Sequence, residues 1–120
     1  MSVKIRSLTK DKDFDRIFKQ GRSCYGQIIG LKVLANELGQ NRLGVIISRK
    51  VSKKAVERNK FKRRVKEVFR LQADKTITGY DILVIALSGA KKNALRRIPS
   101  YQEIKKEIEQ GLSRLRMFKL

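Results

Sequence analysis

Asn59, Lys62, Arg63, Lys66 and Arg70 recur at i, i+3, i+4, i+7 and i+11, the spacing that sets side chains in one row along a helix. At about 1.5 Å per residue the row covers about 16 Å of helix axis, and no acid interrupts it. Cations held that close repel one another unless a dense anion lies alongside, and a nucleic-acid backbone is such an anion. The plain alternative is a solvated basic face on an ordinary amphipathic helix. Net charge weighs against it: 30 Lys and Arg against 11 Asp and Glu leave a formal charge of +19 on 120 residues, far beyond what solubility requires. Such a balance implies a polyanionic partner. Arg49, Lys50 and Lys53 lie just ahead of the row, and Lys60 lies within the same helix, so both extend the basic surface.

Chemistry by the protein itself is poorly supported. Histidine is absent, which removes the commonest general base and metal ligand, and the single Cys24 can form neither an internal disulfide nor a zinc site. No phosphate-binding glycine loop or nucleophile elbow occurs. A stand-alone nuclease would need clustered carboxylates for metal ions. Asp11, Asp13 and Asp15 are the one candidate cluster, and a helix N-terminus explains them better. No catalytic residue and no protein-borne metal site are therefore expected. No apolar run approaches the roughly 18 residues of a membrane span, so a cytoplasmic location and no membrane partner are expected.

The elements that must position the row can be read from periodicity. Phe61, Val65, Val68 and Phe69, with Gln72 trailing, share the buried face of a helix over 52–71. Ser52 is its expected N-cap, with Lys53 and Lys54 in a first turn where the helix dipole disfavours them unless phosphate faces that end. Glu67 is placed to meet Arg64, and Glu57 to meet Lys60. Arg58 falls inside the apolar sector, so it either snorkels out or is held by a buried carboxylate or carbonyl.

Upstream, residues 2–7 read as a loose basic lead-in. A short helix follows, capped by Thr9, stopped by Gly21 and packed through Phe14, Ile17 and Phe18. Strands are predicted at 22–25, 27–35 and 42–47, joined across a loop at 36–41. Both faces of the second carry apolar residues, so helices should cover the sheet at least in part on each side. The apolar run 80–87 reads as a central strand, and strand, helix and strand together suggest a parallel βαβ unit. A basic loop with Lys91, Lys92, Arg96 and Arg97 precedes a capping box at Ser100 and Glu103. The last helix packs through Tyr101, Ile104, Ile108, Leu112 and Leu115, with Gly111 expected to shorten it. The fold class is α+β: a single-domain α-β sandwich of about four strands and three helices, ordered α-β-β-β-α-β-α.

Phe14 and Phe18 then bound a groove whose other wall is the strand around Lys32. Aromatics flanked by cations suit single-stranded nucleic acid; the alternative is that both rings are core. A helix-turn-helix bound to DNA is disfavoured, because strands and not a second helix precede residue 52.

The run Arg58-Asn59-Lys60-Phe61-Lys62-Arg63-Arg64-Val65-Lys66 resembles the RNR signature of the bacterial ribonuclease P protein subunit, with Lys60 and Lys66 where that family usually has Arg. Asp13-Phe14, Phe18 and Gly21 are similar to its DFxxxFxxG pattern. The resemblance implies an accessory subunit of an endoribonuclease whose RNA subunit removes the 5′ leader of precursor tRNA. It implies Mg²⁺ held mainly by RNA and substrate, and a left-handed βαβ crossover. Arg49, Lys50, Lys53, Arg58, Asn59, Lys60, Lys62, Arg63, Lys66 and Arg70 would contact RNA. Phe14, Phe18 and Lys32 would line a leader cleft, with a phosphate contact at Lys32 where the family has an aromatic nearby. The catalytic RNA and precursor tRNA are the expected partners; a ribosomal-type RNA-binding protein with no part in cleavage is the alternative.

Overall fold

The computed structural model describes residues 5–87 and 98–119, so the basic loop with Lys91, Lys92, Arg96 and Arg97 lies outside the described residues. In chain order the elements are β1 (Arg6–Ser7), α1 (Asp11–Gln20), β2 (Arg22–Tyr25), β3 (Ile29–Ala35), β4 (Arg42–Ile46), α2 (Ala55–Gln72), β5 (Tyr80–Ala86) and α3 (Tyr101–Arg114). The sheet has five strands in the order β1-β4-β5-β3-β2. Four of them were expected. The fifth, β1, is part of the supposed loose lead-in, and it pairs parallel to β4 with Arg6 opposite Arg42. Leu8 anchors it, its amide donating to the Leu43 carbonyl at 2.8 Å while its side chain is buried.

α2 is the crossover between β4 and β5, which are parallel neighbours. β5 also pairs antiparallel with β3 along its whole length. Alternation in β3 puts Ile29, Leu31 and Val33 into the larger core, with α2 and α3. Leu34 packs instead into a smaller core of Leu8, Ile17 and Leu83 beneath α1. The sheet therefore has helices on both faces, as the two-sided apolar pattern predicts.

Three expected helix details change. α1 begins after Lys10, not Thr9, and α2 after Lys54, not Ser52; neither has a side-chain cap. Ser52 is buried and its hydroxyl donates to Glu57, which takes it away from the capping position while still accepting weakly from the Lys54 amide. α3 is not shortened at Gly111 but runs through it to Arg114. A Cβ there would lie 2.7 Å from Leu31 Cδ1, so the glycine is what lets α3 close on β3. The cap of α3 is as expected, Ser100 Oγ accepting from the Glu103 amide at 3.2 Å. Ser100→Ala is expected to lower stability by about 1 kcal/mol, measured as the shift of the urea midpoint at constant slope; no shift would mean that solvent caps the helix equally well.

At one end of the sheet, Asp81 is fully buried between β4, β3 and α1. Arg42 Nε and Nη2 donate to its two oxygens, each at 2.7 Å, and Asn36 Nδ2 donates at 2.9 Å. Arg16 stands 3.6 Å away, and Arg42 reaches on to Asp13 at 3.2 Å. Burial alone would push the Asp81 carboxyl up, but the hydrogen bonds from Arg42 and Asn36 and the charges of Arg42 and Arg16 outweigh it. The carboxyl is held below its ordinary range. Asp13 is thereby a structural acceptor in α1.

Candidate nucleic-acid interface

α2 is oriented by its apolar sector. Phe61, Val65, Val68 and Phe69 are essentially inaccessible to solvent, and Gln72 is buried beside them, its amide donating to Glu109 of α3. Burial of such side chains stabilises by about 1.5–3 kcal/mol each, whereas like charges at i,i+4 cost only about 0.2–0.5 kcal/mol per pair. Core packing therefore decides which face points outward. Asn59, Arg63 and Lys66 are exposed and Lys62 is half-buried. Among the described residues, the side chains of these four have no hydrogen-bond or ion-pair partner, so their donors are available to a ligand.

The far end of the row differs. Arg70 is not free: its Nη2 lies 2.6 Å from Glu67 Oε1, and its Nε donates to the other oxygen at 3.0 Å. The hydrogen bond from Arg70 holds the Glu67 carboxyl below its ordinary range. Glu67 thus turns to Arg70 instead of Arg64, whose guanidinium donates to the Pro99 carbonyl at 2.6 Å and joins α2 to the start of α3. Arg58 follows the carbonyl alternative, donating to Ser52 O at 3.0 Å from a half-buried position. It clamps the turn before α2. Arg49, Lys50, Lys53 and Lys60 are exposed; the first three lie on that turn, so they continue the basic surface past the N-terminus of α2.

On the opposite face of the sheet, the two phenylalanines of α1 part company. Phe14 is half-buried and its ring lies over β4, where a Cβ on Gly44 would come within 2.7 Å of Cε1, so it is mainly packing. Phe18 is 47% exposed and rides at the rim. Lys32 Nζ stands 5.6 Å from the centroid of the Phe18 ring, and it donates to Ser23 Oγ at 2.8 Å across the β2–β3 pair. The structure therefore brings Phe18 and Lys32 together and sets Phe14 behind them. It adds a residue that the sequence reading did not place here: Tyr25, 54% exposed, whose ring centroid is 5.7 Å from the same ammonium. Gly30, a residue without a side chain inside β3 and directly opposite Tyr25, was the available signal.

With that geometry in place, comparison with known proteins gives one answer. The sequence pattern of the family Ribonuclease P matches residues 3–116. The chain belongs to the ribonuclease P protein family. Among its relatives, the ribonuclease P protein component of Clostridium botulinum (strain 657 / Type Ba4) is 37% identical over 99 residues, covering 82% of this chain and 88% of the relative. Among solved structures, the RNase P protein of Staphylococcus aureus superposes with a TM-score of 0.82 at 31% identity, over 97% of this chain and all 100% of that one. That of Thermotoga maritima gives a TM-score of 0.76 at 30% identity, over 88% and 93%. The family fold is the mixed α+β layer structure described above. Among the described residues no helix is long and apolar enough to cross a membrane.

Proposed function

We propose that this chain is the accessory subunit of a ribonuclease P ribonucleoprotein. It partners the RNA subunit, which carries out hydrolysis of the phosphodiester bond that frees the 5′ leader of precursor tRNA. The observation that carries the reading is the set of donors on α2 that have no partner among the described residues, held outward by a buried apolar sector. In this reading Asn59, Lys62, Arg63 and Lys66 grip phosphates of the catalytic RNA, with Arg49, Lys50, Lys53 and Lys60 adding charge. Arg58 shapes the turn, and Arg70 contributes less because Glu67 already neutralises it. The leader lies along Phe18 and Lys32, with Phe14 as backing. Mg²⁺ is held mainly by RNA and substrate; among the described residues no group of three or more His, Cys, Asp or Glu is arranged to hold a metal ion. A cytoplasmic setting belongs to the same reading.

Reconstitution tests it. Added to the catalytic RNA at low Mg²⁺, the protein should accelerate precursor tRNA cleavage, and no acceleration would favour a structured-RNA-binding protein without a role in cleavage. Phe18→Ala is expected to weaken binding of precursors with a long leader by about fivefold to 10²-fold, the scale of losing one stacked base, and to spare leaderless tRNA. Equal losses on both would return Phe18 to a packing role.

A further inference from the structure

Tyr25 and Phe18 are the only aromatic residues among the large apolar side chains found exposed in the described residues, and both rings face one lysine. They reach it from different elements, Phe18 from α1 and Tyr25 from β2. The register explains how. Ser23 pairs with Lys32 and Tyr25 with Gly30, so alternation places all four on the α1 side of the sheet. A Cβ at residue 30 would stand 2.7 and 2.8 Å from Cδ1 and Cε1 of Tyr25, so the ring lies down over β3 only because residue 30 is glycine. Ser23 Oγ then accepts from Lys32 Nζ at 2.8 Å and fixes the ammonium between the rings.

We propose that Tyr25 is a second base-stacking platform of the leader groove, bracketing with Phe18 a phosphate contact made by Lys32, so that the groove holds two unpaired bases on either side of one phosphate. The inference deepens the leader-groove reading and rests on it. Chemistry favours a single strand over a duplex. Two exposed rings flanking one cation offer π faces to bases of any identity and one charge to the backbone between them, and a paired base exposes no face to stack on. An aromatic that served only to pack across the strand pair would have no need of an open face or of the shared ammonium.

The test uses the reconstituted holoenzyme and two substrates, a precursor tRNA with a long unpaired leader and the same tRNA without one. For Tyr25→Ala, the ratio of their affinities should fall about tenfold, with the slope of log affinity against log salt unchanged, because no charge is lost. Tyr25→Phe should restore the ratio. Lys32→Ala should instead reduce the slope for the leader-bearing substrate by about 0.7, the value for one phosphate of a single strand. Phe18→Ala, measured in parallel, separates the two layers of the argument. If Phe18→Ala is leader-selective and Tyr25→Ala is not, the second platform is wrong and the groove stands. If neither is selective, the groove reading fails and the platform fails with it. A loss at Tyr25→Ala that is equal for both substrates would make Tyr25 a packing residue and overturn the proposal.

Discussion

Replacing Lys62, Arg63 and Lys66 together by alanine is expected to weaken binding of the catalytic RNA about 10²-fold at physiological salt, and to lower the log–log salt slope by about 2–3. Each phosphate neutralised contributes about 0.7–0.9 to that slope, which near 0.15 M salt amounts to roughly fivefold in affinity per contact. The three side chains project from a helix whose other side carries the core, and none has a partner to lose among the described residues. The urea midpoint should therefore move by no more than the equivalent of about 0.5 kcal/mol. Arg70 is left out of the set because Glu67 holds it. A loss of binding that did not vary with salt, or that came with a large drop in stability, would remove α2 from the interface.

The second large effect is on the fold. Asp81→Asn keeps the shape of the side chain but strips the charge from a fully buried site where Arg42 donates twice. Removing one partner of such a pair is expected to cost about 3 kcal/mol or more, because the guanidinium is left facing an uncharged acceptor. The pH dependence has a definite sign. The folded carboxyl is held below its ordinary value, so its contribution is fully present above the unfolded value of about 3.9 and fades as pH falls below it. Urea unfolding of the parent and of Asp81→Asn should differ most near neutral pH and converge below about pH 4. A constant difference across that range would mean that packing and not charge explains the loss.

The apolar sector of α2 was legible because residues 61, 65, 68, 69 and 72 follow a 3.6-residue period over about three turns, and no competing element fits that pattern. Its start was not, because the hydroxyl of Ser52 has two uses and a local hydrogen bond to Glu57, five residues on, claimed it. β1 left no trace, since a strand of two residues has no period; it exists through pairing with β4. The same limit hid Tyr25 and the Asp81 cluster. Both depend on which residues of distant strands stand opposite, Tyr25 over Gly30 and Arg42 beside Asp81. A glycine inside β3 and a carboxylate at the mouth of an apolar strand were the visible marks of close approach and of a buried partner. Phe18 illustrates the converse: the spacing of Phe14 and Phe18 left groove wall and core open for both rings, and the structure separates them, with Phe14 packed on Gly44 and Phe18 47% exposed.

The cationic helix and the aromatic rim lie on opposite faces of one five-stranded sheet. Two ribose-phosphate strands bound as proposed would stand on either side of that sheet, on a chain whose net charge is +19. That positive charge, and not the low dielectric of the protein interior, would offset the mutual repulsion that in free solution drives enzyme RNA and incoming transcript apart.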